Sequence, residues 1–478
     1  MDTSTTSANT TKAGRGRKRA QPSTEPTTAK RAPRTTTARV HLSYNDFVLK
    51  THGKRILSCG EGDQLGHPGR TTSKKPRKVD IVEDENLEVV QAVAGGVHSV
   101  FLTSDGVVYS CGINEKGTVP GVGVEPEGST DEYKKIEFPE SFQALGKIVM
   151  LACGASFTAA LTAKGSVFAW GNLRDANGKL DVHDQLTQMQ KAPIVLLKHT
   201  KEIEIVKIAA GENHLVMLSQ DLKVYTFGDG SMGQLGRSIR TDRIRSQYMA
   251  AKDAHSLHVP SFMGGKKFVK AKNIFADGYW TAILSVENDL YVCGLNNYGQ
   301  LGIPIEEEKA ESEEDNQKED NRELRVFHPT LSKAFSGHNW TNIQGVQHII
   351  ARDENGEMYG IGKNTDNALG LGTWKGNDDQ ENWRYDTLQK IDVDGNTVSG
   401  ISAKLGCSVC WTSAGDAYSW GCDTSGQLGL GIKEDEDDKV VEKPQKITSA
   451  HLNDYKIISV SIADNHSIFL AEPSADEE

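Results

Sequence analysis

No stretch of this 478-residue chain approaches the ~18 to 20 consecutive apolar residues that a membrane-crossing helix needs, and its first residues lack the apolar core of a secretory leader. Both absences point to the cytosol or nucleus. Cysteine is scarce: seven residues, an odd number scattered through a long chain, do not form a disulfide framework. Also missing are a nucleophile beside a base, a pair of carboxylates at catalytic spacing and a lysine loop that could grip phosphate. Covalent enzymology is therefore not expected, nor is a metal or cofactor. What the chain has in quantity is glycine, 47 residues, which points to many turns and many short strands.

Charge is unevenly placed. Residues 1–39 carry nine basic side chains against Asp2 and Glu25, a net of +7, so the remainder holds −18 of the overall −11. That basic segment is Thr, Ala, Pro and Gly with scarcely an apolar residue, so it cannot bury enough surface to fold and is expected to be a disordered tail. Its clusters Lys18-Arg19 and Lys30-Arg31, with Arg15 and Arg17 nearby, resemble a bipartite nuclear import signal and suit nucleic acid or an acidic partner. Residues 305–323 contain an acidic run, ten acids from Glu306 to Glu323, read as a solvated insertion.

The dominant feature is a repeat. A strand-like motif ends in Gly60, Gly112, Gly171, Gly228, Gly294, Gly362 and Gly421, at spacings of 52, 59, 57, 66, 68 and 59 residues. Most copies run into a turn closing on Leu-Gly, as at Gln64-Leu65-Gly66, Gln234-Leu235-Gly236 and Gln427-Leu428-Gly429. A second motif, a glycine-containing turn feeding an apolar strand, carries His98, His214, His348 and His466 in one slot and Phe157, Trp280 and Cys407 in the same slot elsewhere. Hairpin signals such as Asp105-Gly106 and Asn355-Gly356 separate the strands. A period near 60 fits four-stranded blades packed radially. The chain starts with a half unit, residues 44–66, and ends with its complement, 456–471, so the two should combine into one blade that closes the ring. The expected fold is all-β: a seven-bladed β-propeller over residues 40–478.

Repetition also disposes of several tempting sites. Cys59, Cys111 and Cys293 share a slot with Trp170, Phe227, Ile361 and Trp420, which makes them core residues. Cys407 and Cys410 have no second pair at zinc spacing. Gly228 to Gly233 spells a dinucleotide-binding pattern but is one copy of the blade turn, with no helix after it. A histidine recurring in four units reads as a structural residue bonding a neighbouring loop more readily than as a functional one.

Function is then sought where the repeat is broken. In the third unit, Trp170-Gly171-Asn172-Leu173-Arg174-Asp175-Ala176-Asn177-Gly178 replaces the ordinary turn with a polar segment. After Gly236, Arg237, Arg240, Arg243 and Arg245 place four arginines in nine residues of an otherwise acidic body, a pattern suited to phosphate or carboxylate.

Seven such units, with Gly-Gln-Leu-Gly turns and Gly-x-x-His loops over about residues 44–472, resemble the regulator of chromosome condensation family. The third-unit segment and the basic tail resemble its members that act on the small GTPase Ran. The resemblance implies guanine-nucleotide exchange: one propeller face docks on Ran, and a wedge from Asn172 to Lys179 presses beside the phosphate-binding loop. It implies a docking set of Arg174, Asp175, Asn177, Gly178, Asp63, His98, Glu212, Asn213, Arg237 and His348. Two family acids are absent: Ala155 and Phe157 stand in the third-unit loop, and Asn213 stands where another acid is usual, with Glu212 beside it. The resemblance further implies nuclear, chromatin-bound residence. The tail residues Arg15, Arg17, Lys18, Arg19, Lys30 and Arg31 would meet DNA phosphate and nuclear import receptors, and Arg240, Arg243 and Arg245 the acidic patch of histones on the nucleosome. The competing expectation is a non-catalytic scaffold of the same family that binds protein partners through one face.

Overall fold

Valine, isoleucine, leucine and alanine crowd one strand of every repeat, and those strands are buried on both faces, as in His98–Thr103, Phe157–Thr162 and His214–Ser219. A strand sandwiched in this way needs a sheet on either side, and the repeats supply it to one another. The computed structural model describes residues 40–174, 184–237, 258–260, 266–305, 324–433 and 439–474. It is a seven-bladed β-propeller with few and short helices.

The closing blade, blade 1, takes β1 (Arg55–Glu61) and β2 (Thr72–Lys78) from the start of the chain and the last two strands from its end. Blade 2 is β3 (Val89–Ala94), β4 (His98–Thr103), β5 (Val108–Ile113) and β6 (Ser129–Lys135). Blade 3 is β7 (Ile148–Cys153), β8 (Phe157–Thr162), β9 (Val167–Gly171) and β10 (Ile194–Leu197). Blade 4 shows β11 (Ile205–Ala210), β12 (His214–Ser219) and β13 (Val224–Gly228), followed by a separate short pair, β14 (His258–Pro260) and β15 (Lys266–Phe268). Blade 5 is β16 (Ala271–Asp277), β17 (Trp280–Ser285), β18 (Leu290–Leu295) and β19 (Arg325–Leu331). Blade 6 is β20 (Trp340–Gln344), β21 (His348–Asp353), β22 (Met358–Lys363) and β23 (Arg384–Ile391). Blade 7 is β24 (Val398–Lys404), β25 (Cys407–Thr412), β26 (Ala417–Cys422) and β27 (Val440–Lys446), and the chain returns to blade 1 as β28 (Tyr455–Ile462) and β29 (His466–Pro473).

All pairings are antiparallel, and β1 pairs with β29 from Arg55 opposite Ala471 to Gly60 opposite His466. Ring closure is therefore non-covalent, and Arg55 reinforces it by lying 3.7 Å over the Tyr455 ring while pairing with Glu83 at 2.5 Å. Apolar clusters bridge neighbouring blades around the ring; one joins Met150, Phe157 and Leu161 of blade 3 to Leu215, Met217 and Phe227 of blade 4. Most outer strands are instead polar and partly exposed, the apolar β10 of blade 3 excepted. Lys74, Lys75 and Pro76 in β2, like Lys443 and Pro444 in β27, discourage edge-to-edge pairing.

The recurrent glycine has a geometric cause. Gly60, Gly112, Gly171, Gly228, Gly294, Gly362 and Gly421 all have φ between 97° and 119°, a region costly for any other residue. Each end of the third strand is also pressed on a loop of its own blade: a side-chain carbon on Gly228 would lie 2.6 Å from the Asn213 carbonyl.

The first strands of the blades line a central channel of about 380 Å³. Phe47, Val48 and Leu49 line it as well, just after a turn at Tyr44–Asp46 that Ser43 caps. The ammonium of Lys207 sits 5.2 Å from the Phe47 ring and 4.8 Å from the Phe275 ring, and it donates to Asn273 and to the Ile274 carbonyl. Burial drives its pKa down to about 7.

Candidate functional site

Antiparallel blades sort their connections by end. Loops after the first strand and turns after the third lie at one end of the propeller, the hairpins Asp105-Gly106 and Asn355-Gly356 at the other. The first end therefore gathers Asp63, Arg174, Glu212, Asn213 and Arg237, with His98 and His348 at the roots of its loops. Asp175, Asn177, Gly178, Arg240, Arg243, Arg245, the acidic run 306–323 and the tail residues Arg15, Arg17, Lys18, Arg19, Lys30 and Arg31 lie outside the described residues.

The loops at this end are laced into a rim. The Gly96 and Val97 amides donate to the Gly154 and Ala155 carbonyls, the Ala155 amide to Glu212, and the Glu212 amide to Gly278. The Gly345 amide continues the series to the Asp277 carboxylate at 3.1 Å.

The histidines lie beneath this rim. His98, His214, His348 and His466 are all buried, and each Nε2 bonds a hydroxyl of the next blade: Thr158 at 2.8 Å, Thr281 at 3.0 Å, Ser408 at 2.8 Å and Ser99 at 2.9 Å. The Thr281 hydroxyl donates onward to the Gln234 carbonyl at 2.7 Å, so it accepts from the His214 Nε2–H. That tautomer leaves the His214 Nδ1 as a bare acceptor; it has no partner, nor has the Nδ1 of His98, whereas the His466 Nδ1 meets the Asn465 Oδ1 at 3.0 Å. Burial lowers the pKa of His98 to about 4 and those of His214, His348 and His466 to about 3, which keeps the rings neutral. His98 and His348 are thus joints between blades, with no ring surface open to a partner.

Arg237 likewise differs from a free surface cation. Its Nε donates to the Thr226 hydroxyl at 3.0 Å and its Nη2 to the Thr226 carbonyl at 2.9 Å, so the side chain folds under its own turn. Burial lowers its pKa to about 10. Asp63 opens the Asp63–Leu65 turn of blade 1 and is half-buried.

The third-unit segment has a firm root. Asn172 is fully buried, takes its backbone position from the Ser156 carbonyl at 2.6 Å, and donates its side-chain amide to Glu115 at 3.1 Å. Gln190 donates to the other side of the same amide group at 3.2 Å. Exposed Arg174 pairs with Glu115 at 2.5 Å. One carboxylate of blade 2 thus fixes both Asn172 and Arg174. Glu115 was invisible as a site residue in the sequence, because its role depends on two residues 57 and 59 positions away.

The other addition is an ion cluster at the channel mouth. Lys404 pairs with Glu212 at 2.5 Å and with Asp277 at 2.8 Å, all three being mostly buried. Burial opposes the ammonium charge, but the Asp277 and Glu212 carboxylates outweigh it and raise the pKa above the ordinary lysine value. Among the described residues no group of side chains could hold a metal ion.

An RCC1-like domain model matches residues 55–469. The chain belongs to the RCC1-like family. It is 33% identical to the human protein named Regulator of chromosome condensation over 428 residues, 87% of this chain and 90% of that relative. It is 23% identical to the Saccharomyces cerevisiae protein named Guanine nucleotide exchange factor SRM1 over 475 residues, 91% of each. The crystal structure of Saccharomyces cerevisiae Prp20p, described with its binding to Gsp1p and histones, superposes with a TM-score of 0.76 at 23% identity, covering 92% of this chain and 97% of that one. RCC1-like membership accounts for the recurrent layout of the blades. The Glu115 root and the Lys404 cluster are built from this chain's own side chains.

Proposed function

We propose that this protein is a chromatin-bound guanine-nucleotide exchange factor for the small GTPase Ran, acting through the end of the propeller that carries Asp63, Arg174, Glu212 and Asn213. The observation that carries this reading is family membership across nearly the whole chain, with 33% identity to the human regulator and a further relative named an exchange factor. Geometry supports it: the polar third-unit segment that breaks the repeat is rooted at that same end by Glu115.

The work required is a shift of equilibrium. Small GTPases hold nucleotide at about picomolar strength, roughly −16 kcal/mol, so unaided release is slow. A partner that prefers the nucleotide-free form weakens nucleotide binding by the factor by which nucleotide weakens its own. A rigid rim suits this role, because docking then carries little cost of ordering loops. The segment Asn172 to Lys179 would press beside the phosphate-binding loop, and cellular GTP excess would set direction. No covalent step is needed. The product, Ran-GTP formed at chromosomes, would direct nuclear transport, spindle assembly and nuclear envelope formation.

The basic tail and the arginines Arg240, Arg243 and Arg245 would hold the protein on DNA phosphate and on the histone acidic patch, and the tail would meet import receptors. Replacing those three arginines should weaken nucleosome binding and spare exchange; unchanged nucleosome affinity would remove them from the chromatin surface. Release of fluorescent GDP from Ran, with another small GTPase as control, tests the exchange reading. Selective acceleration supports it, and none from a folded chain leaves the scaffold reading.

A further inference from the structure

The four-residue loops at the docking end follow a rule at their first position. Five blades place Gly95, Gly154, Gly211, Gly345 and Ala463 there. Blades 5 and 7 break it with Asp277 and Lys404, and the two exceptions find each other across the channel mouth, past the intervening blade 6. Lys404 also reaches Glu212 of blade 4. Charges in a slot otherwise reserved for the smallest residues are costly to bury, and each is offset in large part by the other.

The connections of the cluster are asymmetric. Asp277 faces inward to structure, accepting from the Gly345 amide at 3.1 Å and from Gly278 at 2.8 Å. Glu212 has its backbone tied to Gly278 and Ala155, while its carboxylate has Lys404 as its ion-pair partner. Asn213 follows directly and is half-buried, and its carbonyl receives the Asp229 amide. The exposed Asp464 of blade 1 and the half-buried Tyr279 stand within electrostatic range of Lys404 and Glu212.

The geometry points to Lys404 as a positioning residue for exchange: a cross-channel strut that holds the Glu212 carboxylate, and with it the 211–213 loop, in the arrangement that docks the GTPase. The inference rests on the exchange reading and adds to it the group that sets the docking loop. Without the ammonium, Glu212 faces Asp277 and Asp464 with no counter-charge and swings towards solvent, so docking must first reorder it. Arginine, which keeps the charge and can bridge both carboxylates, should retain most of the effect.

The test measures fluorescent-GDP release from Ran over a range of concentrations of the full chain, for the wild type, Lys404→Met, Lys404→Arg, Glu212→Gln and the Lys404→Met/Glu212→Gln double variant. Lys404→Met should raise the half-maximal concentration about tenfold, the scale of one missing charged hydrogen bond, with the maximal rate little changed. Lys404→Arg should recover most of it. Glu212→Gln should also raise it, and the double variant should lose no more than the worse single one, because both act through one carboxylate. A folded Lys404→Met chain with wild-type kinetics, or losses that multiply in the double variant, overturns the inference while an active wild type leaves the exchange reading standing. Should the Met variant fail to fold, Glu212→Gln decides, since Asp277 still pairs Lys404 there: an unchanged half-maximal concentration overturns the strut. A wild-type chain that does not accelerate release overturns the exchange reading and this inference with it.

Discussion

The loops at the docking end are built in two layers that share residues but not chemistry. Their last position, occupied by His98, His214, His348 and His466, is buried, neutral and bonded to the next blade. Their first two positions carry Asp277, Lys404, Glu212 and Asp464, charges gathered at the channel mouth. The lower layer recurs around the ring because every blade must be joined to its neighbour. The upper layer breaks the repeat, as the proposed docking of a partner without seven-fold symmetry would require. Histidine at a recurrent position thus reports on stability, and under the proposed function charge at an exceptional one reports on recognition.

Acid should strike the lower layer hardest. An exposed histidine titrates near 6.5, whereas burial holds His98 down to about 4 and the other three to about 3. Their folded pKa values lie below the unfolded one, so the unfolded chain takes up protons that the folded chain refuses. The stabilisation is complete above about pH 6.5 and is lost progressively as pH falls, down to about 4 for His98 and about 3 for the others. At about 1.4 kcal/mol per unit for each ring, four rings can exhaust the stability of a typical domain. Melting temperature followed from pH 7.5 to 4.5 should drop steeply, and less steeply in a His214→Gln chain; equal slopes would separate the histidines from the acid response.

Next in size is His214→Ala, which removes the donor to the Thr281 hydroxyl and opens a cavity between blades 4 and 5. It should destabilise by about 2–4 kcal/mol. GDP release measured well below its melting temperature should stay near wild type. Slower exchange without a lower melting temperature would blur the division between the layers.

Glu115→Ala reverses the pattern. It frees Asn172 and Arg174 at the root of the third-unit segment, so exchange should slow about tenfold, the cost of one missing charged hydrogen bond, with little change in melting. Smallest of all on exchange is deletion of residues 2–39, which should leave GDP release in solution unchanged. Nucleosome binding should instead weaken, and its log-log dependence on salt should flatten by about 0.9 for each phosphate that the tail no longer neutralises. Slower exchange in the truncated chain would tie the tail to the docking end.

The ring itself was legible in the sequence because each blade is a local object. Spacing of Gly60, Gly112 and their counterparts counted the units, and the two half units announced the closing blade that β1 and β29 form. Cys59, Cys111 and Cys293 were readable as core for the same reason, and their thiols do lie buried against the turns of preceding blades, on the carbonyls of Gln427, Gln64 and Gln234. The docking end was only half legible. Arg174 stands out as a local departure and the resemblance adds Glu212, but of the other residues it places at that end, His98 and His348 are spent on inter-blade bonds and the half-buried Arg237 on its own turn. Lys404 and Asp277 were missed because they lie 127 residues apart and only ring closure brings them together.

Selective release of fluorescent GDP from Ran by the full chain, compared in one experiment with Glu115→Ala and His214→Ala, reaches furthest. Strong acceleration by the wild type, about tenfold less by Glu115→Ala and wild-type rates from His214→Ala would place exchange on the irregular layer of the docking end. No acceleration from the folded wild type, or equal loss in both variants, would contradict it.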